Sequence, residues 1–206
     1  MIAIVDYGVG NLFSLKASLR CVGADACVTS DAEVLARAER LLLPGVGAFG
    51  DAADRLRATG LAGVVRDQAA RGKPLLGICL GMQLLFDKSM EYGEHPGLGL
   101  IPGVVRPIAE VVPAEWKIPH MGWNALRFPG TPHPLFRYIK QGDFVYFVHS
   151  YAAMDCADST IATAEYGAEL TAAAARGNVM GCQFHPEKSG DVGLRILKAF
   201  CEGGEK

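Results

Sequence analysis

Apolar and amphipathic segments alternate along the first half of the chain. Short apolar runs at 2–7, 26–30, 40–44 and 74–79 are separated by stretches in which apolar residues recur every three to four positions. The apolar runs are typical of strands buried on both faces, and the stretches between them are typical of amphipathic helices. This alternation predicts a parallel sheet covered by helices, with Asp31 as the N-cap of the second helix.

The second half of the chain carries strand-like patterns with few helices between them. The strand-like segments cover residues 103–109, 123–128, 143–152, 160–167 and 179–185. We expect them to add antiparallel and returning strands to the sheet. An apolar period of three to four predicts a closing helix over 191–201, and a richness in Gly and Pro predicts a surface loop over 91–103.

The predicted architecture is a single α/β domain over residues 1–206, with a mixed, mostly parallel central sheet and flanking helices. A length of 206 residues suits one such domain, and a chain that is 50% hydrophobic and 20% charged is ordinary for a globular protein. The net charge of −2 and the lack of a basic stripe argue against binding to nucleic acid. The sequence shows neither a signal segment nor an apolar stretch long enough to span a bilayer, so we expect a cytoplasmic protein without membrane contact.

Six cysteines are scattered along the chain without a CxxC pair, which favours reduced thiols over disulfides. Cys79 stands out because it lies between Gly77 and Gly81, where an apolar strand ends and a helix over 82–87 is expected. This is the Gly-x-nucleophile-x-Gly pattern of a sharp elbow that exposes a nucleophile. A helix N-terminus there favours a negatively charged sulfur and offers backbone N–H groups to an oxyanion. The alternative is a small buried residue on a core strand, which describes most unpaired cysteines.

His185 is the best candidate for the base that such a nucleophile needs. It follows the apolar segment 180–184 and precedes Glu187 by two positions. Strands of one parallel sheet end at the same edge, so His185 can meet Cys79 there. Glu187 is then placed to accept the Nδ1–H of His185, which predicts a Cys-His-Glu triad. Two alternatives stay open: His185 and Glu187 as ordinary loop residues, or Cys182 and His185 as metal ligands, for which the sequence offers no second ligand pair.

A second glycine-rich segment follows the third predicted strand. With Gly45, Gly47 and Gly50 it matches the G-x-G-x-x-G pattern of nucleotide-binding loops, so a nucleotide-binding module is the runner-up interpretation. Against it, the loop follows the third strand instead of the first, and a proline precedes it. The alternative is an oxyanion loop, in which the backbone N–H of Val46 or Gly47 joins that of Leu80.

These motifs belong to a wider resemblance that covers nearly the whole chain. The chain resembles the class I (triad) glutamine amidotransferases, which have a flavodoxin-like fold, and more specifically the glutaminase subunit of imidazole glycerol phosphate synthase in histidine biosynthesis. The segments that carry the resemblance are VDYGVGN (5–11), LPGVGAFGD (43–51), GICLGMQLLF (77–86), KIPHMGWN (117–124), FVYFVHSYA (144–152) and FHPEKSG (184–190).

The resemblance implies a reaction and a role for each residue of the triad. Cys79 would attack the side-chain carbonyl of glutamine, and His185 would accept the thiol proton and pass it to the leaving ammonia. Glu187 would orient His185, and water would then hydrolyse the thioester to glutamate. No cofactor and no metal is expected.

The resemblance also implies a substrate site and a partner. Gln83 would contact the α-amino and carboxylate end of glutamine, together with the backbone near His149 and Ser150. Ammonia would pass to a (β/α)₈-barrel cyclase, the second subunit of a heterodimer, which makes imidazole glycerol phosphate. A glutaminase that serves another acceptor, such as chorismate or a pyridoxal precursor, is the alternative.

The segment 117–124 gives a separate argument for a partner surface. Met121 and Trp123 lie in a pattern typical of neither helix nor strand, as an exposed anchor would. The alternatives are a Trp buried in the chain's own core and, for Lys188, an ordinary solvated lysine. The set that we assign to a partner interface or gate is Pro119, His120, Met121, Trp123, Asn124 and Lys188.

Overall fold

The chain folds around a central sheet whose strands run mostly parallel. A computed structural model describes residues 1–203. Its strands, in chain order, are β1 (Ile2–Val5), β2 (Ala26–Thr29), β3 (Arg40–Leu43), β4 (Leu75–Ile78), β5 (Phe86–Ser89), β6 (His95–Pro96), β7 (Ile101–Pro107), β8 (His120–Ala125), β9 (Phe144–His149), β10 (Tyr151–Met154), β11 (Thr160–Glu165), β12 (Glu169–Arg176) and β13 (Val179–Cys182). Its helices are α1 (Leu12–Cys21), α2 (Ala32–Arg37), α3 (Phe49–Ala58), α4 (Leu61–Ala70), α5 (Leu80–Gln83) and α6 (Gly190–Glu202).

The central sheet has seven strands in the order β11-β12-β13-β4-β3-β1-β2. Neighbours from β13 to β2 pair in parallel, whereas β12 pairs antiparallel with both β13 and β11. The predicted mixed, mostly parallel sheet is therefore confirmed, with its antiparallel strands at one edge. The adjacency of β4 and β13 brings two segments that are far apart in sequence to the same place on the sheet.

Side chains of the parallel strands alternate between two apolar layers. On β1, Ala3 and Val5 belong to one layer, and Ile2 and Ile4 belong to the other. Residues of α2, α3 and α4 pack in the first layer, and residues of α1 and α6 pack in the second. Because both faces of the strands are buried, the strands read as continuous apolar runs in the sequence.

The start of α2 follows the capping rules. Asp31 caps α2 as predicted, because its carboxylate accepts hydrogen bonds from the backbone N–H groups of Glu33 and Val34 at 2.7 and 3.3 Å. The closing helix is also confirmed, since α6 covers the predicted range. Within residues 1–203, no helix is long and apolar enough to cross a bilayer.

The helix predicted over 82–87 is wrong in its extent. Helix α5 ends at Gln83, and the chain turns into β5 within three residues. The carbonyl of Leu84 accepts a hydrogen bond of 2.8 Å from the backbone N–H of Leu98, which joins it to a segment outside the helix. The predicted loop over 91–103 likewise contains β6 and the first residues of β7. In both regions the secondary structure is determined by strand pairing with distant segments, which a local sequence pattern does not reveal.

Two smaller sheets complete the part of the chain that the structure describes. One has the order β10-β7-β5-β6, and the other is the antiparallel pair β8-β9. The strand β8 corrects a prediction over residues 120–122, because the segment 117–124 reads as irregular in the sequence, whereas the strand predicted over 123–128 overlaps the last three residues of β8. The pattern misleads because it is inverted: His120 is buried at 2% exposure, whereas Met121 and Trp123 are 60% and 54% exposed. Pairing with β9 holds the strand although its apolar side chains face outward.

Candidate active site

Cys79 lies in a sharp corner between β4 and α5. Its backbone has φ 54° and ψ −114°, a conformation that residues other than glycine rarely adopt. The backbone N–H of Cys79 donates a hydrogen bond of 2.8 Å to the carbonyl of Cys182 on β13, which fixes the corner to the neighbouring strand. The strained corner is the conformation of a nucleophile elbow.

The flanking glycines are required by close backbone contacts. A Cβ atom on Gly81 would lie 1.8 Å from the carbonyl oxygen of Leu43, and one on Gly77 would lie 2.6 Å from the carbonyl oxygen of Gly81. A Cβ atom on Gly45 would lie 2.7 Å from the backbone nitrogen of Gly81. The corner therefore packs directly against the start of the glycine loop, and side chains at these positions would force the two apart.

The structure brings His185 and Glu187 together beneath the corner. Cys182 lies opposite Ile78 in the parallel register, so both chains leave the sheet at the same edge. The short turn Pro186–Lys188 then folds Glu187 back, and its Oε1 accepts a hydrogen bond of 2.8 Å from Nδ1 of His185. The side chains of His185 and Glu187 are 4% and 3% exposed.

The electrostatics of this pair favour a charged imidazole. Burial by itself lowers the pKa of His185, but hydrogen bonds to Cys79 and Glu187, and the negative charges of both groups, outweigh burial and raise the pKa to about 9. The imidazole thus lies close enough to the Cys79 sulfur to interact with it. The arrangement can hold a thiolate and an imidazolium side by side, which is the active form of a thiol nucleophile.

The glycine loop runs from β3 to α3 beside the nucleophile. Burial raises the pKa of Tyr7, and its hydroxyl donates a hydrogen bond of 2.8 Å to the carbonyl of Pro44. Gly47 has φ 93°, a left-handed conformation that suits glycine. Leu80 is the first residue of α5, so its backbone N–H has no acceptor within the helix and is open to an oxyanion.

The same loop does not suit the nucleotide-binding interpretation. A dinucleotide phosphate needs the free N–H groups at the start of the following helix. Here the carboxylate of Glu91 accepts a hydrogen bond of 2.6 Å from the backbone N–H of Phe49, the first residue of α3. A carboxylate in this place would repel a phosphate. The contact between Gly50 and the ring of His95 also closes the approach to the third glycine.

An open cavity of about 490 Å³ lies over the nucleophile. Its volume falls within the range of small-molecule sites. Ten of the residues that the sequence suggests line it, namely Val46, Gly47, Cys79, Leu80, Gln83, Pro119, His149, Ser150, His185 and Lys188. Three residues that the sequence did not suggest line it too, namely Glu91, Tyr92 and Val148. Tyr151, which the sequence places either in the core or at an interface, is a further lining residue.

Gln83 and Gln183 form an amide network beside the sulfur. The Nε2 of Gln83 donates to the carbonyl of Tyr151 and to Oε1 of Gln183, both at 3.0 Å. The Nε2 of Gln183 lies 3.7 Å from Sγ of Cys79 and donates to it. Sequence reasoning missed Gln183, although its place two residues before His185 on an extended segment is a usable signal.

The residues suggested for a partner interface that do not line the cavity differ in their exposure. Met121 and Trp123 are exposed, and Trp123 packs edge-on against Tyr146 with ring centroids 6.0 Å apart, so Trp123 is not a core residue. His120 is buried, so it lies beneath the suggested partner surface instead of forming part of it. Asn124 is half-buried and donates a hydrogen bond of 2.7 Å to the carbonyl of Glu165.

No group of three or more His, Cys, Asp or Glu side chains suited to a metal ion is found within residues 1–203. Among these described residues, Cys182 and His185 find no further ligands of the kind that a zinc site needs. Burial raises the pKa of Cys182 well above its ordinary value, with the charges of Glu187 and Cys79 adding to the effect. Cys182 is a core residue that remains a neutral thiol.

Comparisons with known proteins point to the same chemistry. Residues 3–202 match the profile of the family described as glutamine amidotransferase class-I. The chain is 49% identical over 201 residues to a Bacillus cereus protein named imidazole glycerol phosphate synthase subunit HisH, covering 97% of this chain and 93% of that protein. A Bacillus thuringiensis protein of the same name is also 49% identical, with the same coverage.

Solved structures show the same fold at lower sequence identity. A protein described as glutamine amidotransferase superimposes with a TM-score of 0.74 at 21% identity, covering 97% of this chain and 99% of that one. PurLQS from Thermotoga maritima gives a TM-score of 0.76 at 21% identity, covering 98% and 97% of the two chains. The glutaminase domain of Trypanosoma brucei CTPS with bound acivicin gives 0.66 at 14% identity, covering 100% and 95%.

Proposed function

The chain belongs to the class-I glutamine amidotransferase family, and we propose that it is the glutaminase subunit of an imidazole glycerol phosphate synthase. Relatives that bear this subunit's name match 97% of the chain at 49% identity. The observation that carries the proposal is the strained corner at Cys79, whose sulfur meets the buried His185–Glu187 pair at the base of an open cavity.

The first half of the proposed reaction forms a thioester. Sγ of Cys79 attacks the side-chain amide carbon of glutamine, with the thiol proton held by His185. The backbone N–H of Leu80, joined by that of Val46 or Gly47, stabilises the negative charge that develops on the amide oxygen. His185 then gives its proton to the amide nitrogen, the C–N bond breaks, and ammonia leaves.

The second half hydrolyses the thioester. A water molecule loses a proton to His185 and attacks the thioester carbon, and the C–S bond breaks. Glutamate leaves, and the proton returns to the sulfur of Cys79. Glu187 stays ionised throughout and holds the imidazole in the orientation that both steps need, since its Oε1 accepts the Nδ1–H.

The cavity wall suggests how the amino-acid end of glutamine is held. Both N–H groups of Gln83 are engaged with Tyr151 and Gln183, so its Oε1 is the atom left to accept from the α-ammonium group. Glu91 brings a carboxylate to the same cavity and adds the opposite charge. We assign the contacts with the α-carboxylate to the backbone of His149 and Ser150.

The proposal includes a partner. The named relatives are subunits, so they act within a larger enzyme. We propose that a (β/α)₈-barrel cyclase subunit covers the cavity and receives the ammonia directly. Met121 and Trp123 are exposed apolar side chains on β8, close in sequence to the cavity-lining Pro119. Such side chains suit interface anchors, and Lys188 at the cavity wall suits a gate.

Glutamate release measured alone and with the cyclase subunit and its ligand tests this proposal. Release should be low alone, rise in the complex, and disappear in Cys79→Ala, whereas Cys21→Ala should leave it unchanged because Cys21 is an exposed residue at the end of α1. A glutamine-analogue electrophile should add its mass to the peptide that contains Cys79. Unchanged turnover in Cys79→Ala would end the catalytic assignment, and stimulation by a different synthase would replace the partner.

A further inference from the structure

Two buried imidazoles beside the cavity have no role in the proposed reaction. Nδ1 of His120 on β8 lies 3.0 Å from Nε2 of His149 on β9, where the two strands place these residues opposite each other. His120 is 2% exposed and His149 is 7% exposed. Two adjacent buried imidazoles need a defined pattern of donors and acceptors, because an unmatched buried nitrogen is costly.

Their neighbours fix that pattern. Nδ1 of His149 lies 2.9 Å from the carbonyl of Tyr151, which only accepts, so this nitrogen carries the proton. Nε2 of His149 must then accept from Nδ1–H of His120. Nε2 of His120 accepts in turn from the side-chain amide of Asn124 at 3.4 Å. The hydrogen-bond partners therefore fix one tautomer for each ring: both rings carry their proton on Nδ1.

This chain of hydrogen bonds continues to the nucleophile. The Tyr151 carbonyl that accepts from His149 also accepts from Gln83 at 3.0 Å. Gln83 donates to Gln183, and Gln183 donates to Sγ of Cys79. One connected network therefore runs from strand β8 to the sulfur atom, and we call it the imidazole–amide relay.

The other end of the relay lies close to the surface of β8. Asn124 follows Trp123, which is 54% exposed, and its amide also donates to the carbonyl of Glu165. The ring of His120 is stacked between Tyr166 at 4.1 Å and Phe147 at 4.7 Å, so it cannot turn freely.

Both rings are uncharged in the folded protein. Burial lowers the pKa of His120 to about 4. Burial is also the main reason why the pKa of His149 falls to about 3. The hydrogen bond to Tyr151 acts in the opposite direction, and the charges that His120 and His185 carry when protonated lower this pKa further. A neutral His149 keeps the acceptor that the relay requires, and it does not compete with His185 for the negative charge on sulfur.

We propose that His120 and His149 are positioning residues, a rigid neutral pair that holds the Tyr151 carbonyl and, through Gln83 and Gln183, sets the sulfur of Cys79 for attack. The assignment rests on the proposed glutaminase function. Neither ring has to contact the reacting amide group. Both act through the amides that touch the sulfur and the substrate.

Replacements by Phe and by Asn separate this role from simple core packing. Phe keeps the volume and the stacking of the ring but removes every polar atom. Asn keeps a donor near the position of Nδ1 but leaves a cavity. For a packing role, Phe is the milder change in every measurement. For a positioning role, Phe at either position is the milder change for thermal stability but the more severe one for catalysis.

The experiment measures kcat and KM for glutamine hydrolysis in the complex with the cyclase subunit, together with the melting temperature, for the Phe and Asn variants of His120 and His149. We expect kcat to fall about 10-fold to 100-fold in His149→Phe and His120→Phe, as small displacements of reacting groups do, and to fall less in the Asn variants. His133→Phe is the matched control, because His133 is a half-buried histidine that lines a different cavity. The proposal would be overturned if kcat were equal in the wild type and both Phe variants. It would also be overturned if kcat fell in the same order as the melting temperature across all the variants.

Alkylation of Cys79 by iodoacetamide keeps this test independent of the proposed function, because the reagent needs no glutamine. The rate of alkylation should be changed several-fold by the Phe variants and less by the Asn variants. A wild-type chain that fails to hydrolyse glutamine but shows this order of alkylation rates would remove only the glutaminase proposal. Identical alkylation rates in all variants would remove the relay.

Discussion

The carboxylate of Glu91 accepts a hydrogen bond of 2.6 Å from the backbone N–H of Phe49, so a residue of the cavity wall caps the helix that follows the glycine loop. The residue at the N-cap position of α3, Ala48, has no side chain able to do this. Glu91 therefore connects two parts of the site: the loop proposed to hold the oxyanion and the end of the cavity proposed to hold the α-ammonium group.

Replacing Glu91 should separate these two contributions. In Glu91→Ala the lost cap should lower the free energy of unfolding by about 1 kcal/mol, measured by urea denaturation. In Glu91→Gln an acceptor remains, so stability should change less, but KM for glutamine should rise because the opposite charge is lost. A KM in Glu91→Gln equal to that of the wild type would show that the carboxylate does not bind the substrate.

Removal of the charge at Glu187 should weaken the triad through His185. Glu187→Gln should lower kcat for glutamine hydrolysis by a factor on the order of 10² or more, because the imidazole loses the partner that orients it. Since Glu187 is one of the two groups that raise the pKa of His185 to about 9, that pKa should fall in the variant. Titration of the imidazole followed by NMR measures the shift, and an unchanged pKa would contradict the ion-pair description.

The corner at Cys79 should tolerate no side chain at Gly81. A Cβ atom there would lie 1.8 Å from the carbonyl oxygen of Leu43, so Gly81→Ala should destabilise the fold by more than about 3 kcal/mol or prevent soluble expression. Gly63→Ala is the control, because Gly63 lies in α4 and a Cβ atom added to it would meet no other atom within 4 Å. That variant should be neutral or more stable by about 0.5 to 1 kcal/mol. Similar stabilities of the two variants would refute the close packing of the corner against β3.

The exposed Trp123 should matter for association more than for folding. Trp123→Ala should leave the melting temperature of the free chain nearly unchanged, since the side chain is 54% exposed. Its affinity for the cyclase subunit should fall by about 2 kcal/mol, as for a central anchor. Tyr138→Ala serves as the control, because Tyr138 is a partly exposed aromatic residue that contacts Glu202 at the end of α6. Equal loss of affinity in both variants would argue against a docking surface on β8.

The buried imidazole pair should give the protein a characteristic response to acid. Because His120 ionises only near pH 4 in the folded chain and near its ordinary value of about 6.5 in the unfolded chain, the unfolded chain binds more protons between these values. The free energy of unfolding should therefore fall as the pH drops through this window. His185 acts in the opposite sense, since its raised pKa stabilises the fold below about 6.5 and this contribution is lost as the pH rises through about 9.

Urea denaturation of wild type and His120→Phe at about pH 7.5 and pH 5 isolates the contribution of His120, because that of His185 is common to both proteins. The loss of unfolding free energy between the two pH values should be smaller by about 2 kcal/mol in the variant. The same loss in both proteins would show that His120 is not held neutral by burial.

Much of this protein can be predicted from the sequence because the relevant signals are local. Burial on both faces makes β1, β3 and β4 continuous apolar runs, and the glycines around Cys79 record backbone contacts that exclude a Cβ atom. His185 and Glu187 are only two residues apart, so a short turn is enough to bring their side chains within hydrogen-bond distance. Their hydrogen bond can therefore be predicted from the sequence. The predicted Cys-His-Glu triad follows from these signals and from the rule that parallel strands end at one edge, beside the loop and metal-ligand alternatives that the sequence leaves open for His185.

The tertiary structure decided the features that depend on which distant segments meet. The strand β8 shows its apolar residues to solvent and buries His120, so its pattern is the reverse of what hydrophobicity predicts. In the sequence, Glu91 reads as an ordinary acidic loop residue, and only the tertiary structure shows that its carboxylate accepts a hydrogen bond from the backbone N–H of Phe49. The same is true of His120 and His149, whose tautomers follow only from their neighbours. Hydrogen bonds between side chains and remote backbone leave no periodicity in a sequence, because each is fixed by packing that involves the whole chain.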